Sequence, residues 1–333
     1  MEWRELMSQG NGNTKILRKQ LAMRRVLAAT VPCLIGAIYF FGWRVLATVL
    51  FCSVVGFVVE YAFCRNRNEP VTEAVFVTAV LFALVMPPSA PWHVLAVGMV
   101  FAVMFSKEVF GGFGRNIFNP ALAGRCFVYI CFPVAMTGRW PASVPLSGFG
   151  ALGQWSTASL DAVTSVTPMA LMKEGGSIPQ LAELFFGGLS GTVGVTSALL
   201  ILIGGGYLFY NKTASRTTIL SLIISYAIFN QILILAGVVN INNALTAVLG
   251  GGFLFGAFFM ATDPISSPRT NEGKIVYGII IAVCTTVIRN YSIFNGGLMF
   301  SILLGNMFAP IIDYAIKGYK QKKKAIGEIS NER

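Results

Sequence analysis

Ten apolar runs constrain this chain more than any motif does. They lie near 26–43, 45–63, 71–87, 91–106, 117–136, 192–210, 217–239, 244–262, 275–288 and 297–316. A helix of about 17–25 apolar residues is what the ~30 Å hydrocarbon core of a bilayer requires. Within that core every backbone N–H and C=O must be satisfied inside the segment, so runs of this length read as helices. Of the 333 residues 55% are hydrophobic and 12% charged, against roughly 25% charged in a soluble domain. The expected fold class is an all-α polytopic membrane protein of about ten transmembrane helices. No small-residue cleavage site follows the basic segment 15–25, which reads as a cytoplasmic tail entering the first helix rather than a leader.

Lysine and arginine set the orientation of such a chain. Basic residues crowd both tails, from Arg4 to Arg25 and from Lys317 to Arg333. With both termini inside, the alternate loops carrying Arg65/Arg67, Lys107/Arg115, Lys212/Arg216 and Arg269/Lys274 also fall inside. The opposite side keeps only Arg44, Arg139, Lys173 and Arg289, and Arg125 lies within a span. The formal net charge of +11 is thus explained by topology and attraction to anionic lipid. No nucleic-acid recognition motif accompanies it, so no nucleic-acid partner is expected.

The chain also repeats itself. RNIFNP at 115–120 returns as RNYSIFNGG at 289–297, and FALVMPPSAP at 82–91 returns as FMATDPISSP at 259–268. Asn119 to Asn295 and Pro88 to Pro264 are the same step along the chain, so internal duplication is the reading. Five spans per half is an odd number, which turns the second half upside down. Inverted repeats build their sites near the bilayer midplane from interrupted helices. The expected organisation is a basic tail (1–25), a first five-helix repeat (26–136), an extracytoplasmic loop (137–191), a second repeat (192–317) and a basic tail (318–333).

Several chemistries are poorly supplied. His93 is the sole histidine, so paired axial ligands for haem are lacking; following Pro91 and Trp92, it reads as a solvated helix-start residue. Cys33, Cys52, Cys64, Cys126, Cys131 and Cys284 show no CxxC pairing and read as small apolar residues. GGFGRN at 111–116 and GGGFLFG at 250–256 lack the strand context of a nucleotide fingerprint; close helix packing or backbone approach to a ligand fits them better. Charges within or beside spans are costly and informative. Glu73 and Lys107 are expected to snorkel at the interface. Glu108 and Asp263 sit at the repeated phrases, and with Asp313 in the last span they are candidates for an ion pathway. DAVTSVTPM at 161–169 places hydroxyls and an acid near a proline, which on composition alone is a turn or cap.

KEVFGGFGRNIFNPALAGR (107–125), FMATDPISSPRTNEGK (259–274), LLGNMFAPIID (303–313) and VTEAVFVTAVLFALVMPP (71–88) resemble the NqrB/RnfD family. Its members are membrane subunits of the bacterial sodium-translocating NADH:quinone reductase and of its relative, the Rnf ferredoxin:NAD complex. The likeness runs over about 20–317, and the KEVFGG wording leans toward the quinone reductase. It implies a bacterial inner-membrane subunit that is inactive alone and passes electrons toward quinone with sodium translocation. It also implies FMN held by a phosphoester on a threonine, placed by a flavin transferase on the outer face. Asp161, Thr164 and Thr167 match the acceptor pattern D-x-x-S/T-G-A-T, with Thr167 as acceptor, while Ser165 and Val166 depart from it. The resemblance further implies a non-covalent riboflavin in the membrane part. By the same transfer Gly111 and Gly112 belong to a quinone site, and Asn119, Pro120, Thr262 and Asp263 line a cofactor site. Where relatives carry Gly-Glu-x-Ser, this chain has Gly194, Val195, Thr196 and Ser197. That removes an acid associated with the pump, and the N-terminal extension of the reductase's subunit is shortened. Two alternatives stand beside this reading. One is an Rnf-like or solitary relative with other electron partners. The other is a non-redox transporter, since inverted five-span repeats are similar to urea channels.

Overall fold

The structure is a computed structural model that describes residues 16–137, 140, 148–156, 180–237, 244–292, 294 and 297–331. Asp161, Thr164, Thr167 and Asn295 lie outside these residues. The chain is overwhelmingly helical. Five helices are long and apolar enough to cross a bilayer: α1 (Leu21–Phe41), α2 (Arg44–Arg67), α9 (Arg216–Leu235), α12 (Asn271–Tyr291) and the membrane part of α13 (Gly297–Asn331). Between them come α3 (Ala74–Leu84), α4 (Trp92–Val103), α5 (Pro120–Cys131), α6 (Pro133–Thr137), α7 (Leu181–Phe186), α8 (Ala198–Tyr210), α10 (Ala244–Leu249) and α11 (Phe253–Phe255). At 1.5 Å per residue, the 11 residues of α3 or the 12 of α5 rise about half the hydrocarbon thickness. Among the short helices, α3, α5 and the end of α8 border the cavity described below.

Two features escape an all-α reading. Leu17–Arg18 (β1) and Val71–Thr72 (β2) form a two-residue parallel pair with Leu17 opposite Val71 and Arg18 opposite Thr72. This pins the N-terminal segment beside the start of α3. In addition, α4 and α11 each run on into one wide π-turn, at Met104–Glu108 and Gly256–Met260. Each is closed by an i→i+5 bond, Val109 N to Met104 O at 2.9 Å and Ala261 N to Gly256 O at 2.8 Å. A π-turn inserts one residue and re-aims the side chains after it, a device frequent at functional sites.

Small residues let the helices approach. A Cβ at Gly124 of α5 would lie 2.6 Å from the Gly98 carbonyl oxygen of α4. One at Gly204 of α8 would overlap the Ala29 carbonyl oxygen of α1. Because that obstacle is backbone, the helices must separate to admit even a methyl group. Gly204→Ala is therefore expected to cost about 1–3 kcal/mol through overpacking. A lower thermal-inactivation temperature of the detergent-purified protein would register it, and an unchanged temperature would refute this account of the α1–α8 contact.

The corner between α1 and α2 is clamped by the described part of the long loop. Ala151 N donates to Tyr39 O at 2.8 Å and Arg44 N to Trp155 O at 2.8 Å. Further on, Gly194 N donates to Leu84 O at 2.7 Å and Val193 N to Met86 O at 3.1 Å. The Gly194–Ser197 stretch thus runs beside the broken end of α3, and Ser197 then caps α8 through Leu200 N. His93 is exposed in the first turn of α4, as expected of a solvated helix-start residue. Cys33, Cys52 and Cys64 are buried, but Cys131 is exposed, so the small-hydrophobe reading fails for that position.

Candidate functional site: a cavity where the repeated phrases meet

A partly open cavity is walled by α1, α3, the turn 107–121, the end of α8 and the segment 258–265. Asn119 and Pro120 from one phrase and Thr262 and Asp263 from the other line it together. Met23, Val77, Leu81, Phe258 and Phe259 make its apolar surface, while Thr78, Lys107, Asn116 and Thr213 add polar groups.

A polar junction holds the two phrases in place. Asn119 caps α5 by accepting from Leu122 N at 3.3 Å, with Pro120 at the first helical position. That arrangement is favoured because a cap side chain satisfies one orphan N–H and proline lacks another. The Asn119 side-chain amide donates to Met260 O at 3.3 Å, and its backbone N–H donates to Asn306 Oδ1 at 3.2 Å. Asn306, on α13, in turn donates to Ser266 O at 3.2 Å and to the Tyr277 hydroxyl at 2.8 Å. Asn306 and Tyr277 are buried, so each bond is made in a low-dielectric setting where an unpaired group is costly. Asp263 organises its own turn by accepting from Ser266 Oγ at 2.8 Å and Ile265 N at 3.3 Å. Thr262 Oγ1 donates back to Phe258 O at 2.6 Å.

Beside the cavity lies a buried charge network. Glu60 of α2 accepts from Lys107 Nζ at 2.5 Å, and from Thr72 through its N–H at 2.9 Å and its hydroxyl at 2.7 Å. Lys107 also donates to Thr72 Oγ1 at 2.8 Å. The Lys107 side chain is only 3% exposed, so the snorkelling expected of it is wrong: the π-turn directs it inward, where Glu60 and Thr72 receive it. The same expectation fails for Glu73, which accepts from Arg24 at 2.6 Å and from Gln20 N at 2.7 Å. Glu108 pairs with Arg67, and its other oxygen, Oε1, has no hydrogen-bond partner among the described residues.

Gly111 and Gly112 follow this network with φ of 101° and 92°, a region that disfavours any residue with a Cβ. A Cβ at Gly112 would stand 3.0 Å from an Arg67 nitrogen, so the bare backbone lies against the Arg67–Glu108 pair. Asp313 is remote from the cavity wall. Its oxygens accept from Arg269 N at 2.8 Å, Thr270 N at 3.0 Å and Thr270 Oγ1 at 2.6 Å, tying α13 to the start of α12. Arg125 projects from α5 with a buried Nε that finds no acceptor among the described residues.

Sequence reading marks Glu60 only as a charge late in the second apolar run, and it missed Thr72, Asn306, Tyr277 and Thr213 as contributors. A signal existed for Asn306 as for Glu60: both are polar residues inside apolar runs, where such groups must find partners. Nothing local marked Thr72 or Thr213.

Comparison with known proteins identifies the family. Residues 14–322 match the model of the NQR2, RnfD, RnfE family. The B subunit of the Na(+)-translocating NADH-quinone reductase of Klebsiella pneumoniae (strain 342) is 35% identical over 292 residues, 85% of this chain and 67% of that protein. Its counterpart in Neisseria meningitidis serogroup B is 37% identical over 298 residues, 87% of this chain and 70% of that protein. The D subunit of the Na(+)-translocating ferredoxin:NAD(+) oxidoreductase complex of Acetobacterium woodii is 37% identical over 317 residues, 91% of this chain and 93% of that protein. A match along nearly the whole length, with both repeated phrases converging on one cavity, makes this chain a member of the NQR2, RnfD, RnfE family.

Proposed function

We propose that the chain is the membrane flavoprotein subunit of a respiratory electron-transfer complex, carrying electrons toward quinone with coupled Na+ movement. In this reading FMN is esterified to Thr167 on the extracytoplasmic face, with Asp161 and Thr164 as part of the sequence the flavin transferase recognises. Riboflavin occupies the cavity. Both termini face the cytoplasm of a bacterial inner membrane, and ten spans form two inverted five-helix repeats. The packing of α2 on α3 and α4, answered by α9 on α10 and α12, supports the repeat, as does the pairing of α1 with α8 and of α5 with α13.

The observation that carries the reading is the cavity itself. Its apolar faces suit a flat tricyclic ring, and Thr78, Asn116, Asn119 and Thr262 offer donors and acceptors at its edge. Thr213 Oγ1 lines the same space as a buried hydroxyl with no partner among the described residues, the kind of group that a polar ligand satisfies. Within the site, Phe258 and Phe259 exclude water, and Asn119 and Thr262 orient the ring edge. When bound, a flavin supplies the redox chemistry and the protein supplies position and field. Gly111 and Gly112, whose bare backbone lies against the Arg67–Glu108 pair, are assigned to the quinone site. Glu108, Asp263 and Asp313 are the candidates for the Na+ path.

The expected result for chain purified from cells that also make the transferase is a mass above the sequence mass by one FMN moiety. Its band should fluoresce under ultraviolet light in a denaturing gel. A mass equal to the sequence mass, with no fluorescence, would end the covalent-flavin reading. In reconstituted vesicles, Na+-stimulated turnover without Na+ uptake would remove the pump assignment.

A second reading, an Rnf-type complex with ferredoxin and NAD as its electron partners, is supported by the Acetobacterium woodii protein, whose match covers 91% of this chain. Co-purification identifies the neighbouring subunits and separates the two. Family membership favours either redox reading over a urea-channel-like transporter.

A further inference from the structure

Lys107 is the one cationic side chain lining the cavity among the described residues; Glu60 and Thr72, which bind it, do not line the cavity. Lys107 therefore belongs to the cavity wall while its ammonium is held by groups behind that wall. An ammonium has three protons to donate, and Glu60 and Thr72 take two. The third has no hydrogen-bond acceptor among the described residues. Its surroundings are the Phe113 ring, whose centroid is 5.8 Å away, and Glu108 Oε1 at 4.0 Å. Glu60 has both oxygens engaged by Lys107 and Thr72, so it holds the ammonium without reaching the cavity. The other charged side chain in the lining, Asp263, has its two oxygens turned to Ser266 and Ile265.

We propose that Lys107 sets the charge of the cavity wall, its ammonium stabilising the negatively charged reduced form of a planar redox ring lodged there, with Glu60 and Thr72 as positioning residues. The inference rests on the proposed function, because it needs a flavin-class ring in the cavity. It goes further by assigning the potential of that ring to Lys107 in the cavity lining and to Glu60 and Thr72 behind it. Charge at short range in a low-dielectric site acts strongly on the reduced form and weakly on the neutral oxidised one. Removing the ammonium must therefore lower the ring's midpoint potential. Removing the carboxylate behind it, which partly cancels the ammonium's field, must raise it.

The test is a spectroelectrochemical titration of the non-covalent flavin in the purified complex. Lys107→Gln is expected to shift the oxidised-to-reduced balance about tenfold toward oxidised, which is ~59 mV for a one-electron couple. Glu60→Gln is expected to shift it the opposite way, the double variant to return close to wild type, and Lys107→Arg to stay near wild type. A residue that only braces the fold would not give shifts of opposite sign from the two halves of one ion pair. If Lys107→Gln leaves too little assembled complex, Glu60→Gln and the double variant carry the test, since the latter leaves no lone buried charge. Unchanged potentials in Glu60→Gln and in Lys107→Gln, or in Glu60→Gln alone where Lys107→Gln does not assemble, with flavin retained, overturn the inference and leave the proposed function standing. Absence of non-covalent flavin from acid extracts of the wild-type complex overturns both.

Discussion

Thr167→Val is expected to yield a chain whose mass equals its sequence mass, with no ultraviolet fluorescence under denaturing conditions. Valine has nearly the shape of threonine, so the change removes the hydroxyl oxygen and little else. A phosphoester cannot form without that oxygen, and the expected loss is complete. Thr167→Ser keeps a hydroxyl and should keep part of the adduct. Ser165→Gly with Val166→Ala restores the residues found in the resembling acceptor pattern and should raise the flavinylated fraction above wild type. Intact-protein mass spectrometry reads all three variants. An adduct persisting in Thr167→Val would move the attachment to another hydroxyl, with Thr164 and Ser165 nearest.

The second large effect is expected at Asn306. Asn306→Leu preserves bulk but withdraws an acceptor from Asn119 N and two donors, one to Ser266 O and one to the Tyr277 hydroxyl. Each buried group left unsatisfied costs about 1–3 kcal/mol, so the combined penalty is several kcal/mol. That is a large fraction of the ~5–15 kcal/mol that holds a typical domain together. The loss should fall on the cavity first, because Asn119 and the 260–267 turn form its walls. Non-covalent flavin should dissociate during purification, and the protein should inactivate at lower temperature. Asn306→Asp keeps the acceptor but not the donors, and should fall between. Wild-type flavin retention in Asn306→Leu would show that the junction does not shape the cavity.

Much of this architecture was legible in the chain. Each of the ten apolar runs contains helix, because runs of that kind have no other way to satisfy their backbone in lipid. The two phrases pointed to a site shared between distant segments, and Asn119, Pro120, Thr262 and Asp263 do line one cavity. What stayed hidden was the direction of individual charges. Lys107 reads as interfacial because it follows an apolar run, yet a single extra residue in the turn before Glu108 rotates it inward. No periodicity reveals a π-turn, since five residues of ordinary helix-forming type can wind either way. Thr72 was equally opaque. Its role depends on pairing with a segment more than 50 residues earlier, and a two-residue strand leaves no alternation to detect. Asp313 looked like an intramembrane acid and emerged as a tie between helix ends, a distinction that only the positions of the Arg269 and Thr270 amides could make.

The junction at Asn306 also limits how such a protein can move. Carriers built from inverted repeats commonly work by rocking one bundle against the other around a fixed site. Here the backbone of Asn119, the turn at Ser266 and the hydroxyl of Tyr277 all meet on one amide side chain. Ser266 and Tyr277 hold that side chain from within its own repeat, so a rigid tilt between the repeats would sever the bonds of Asn119 to Asn306 and Met260 and open the cavity wall. Motion in this chain is therefore to be sought in small local rewinding, for which the two five-residue π-turns are the natural hinges.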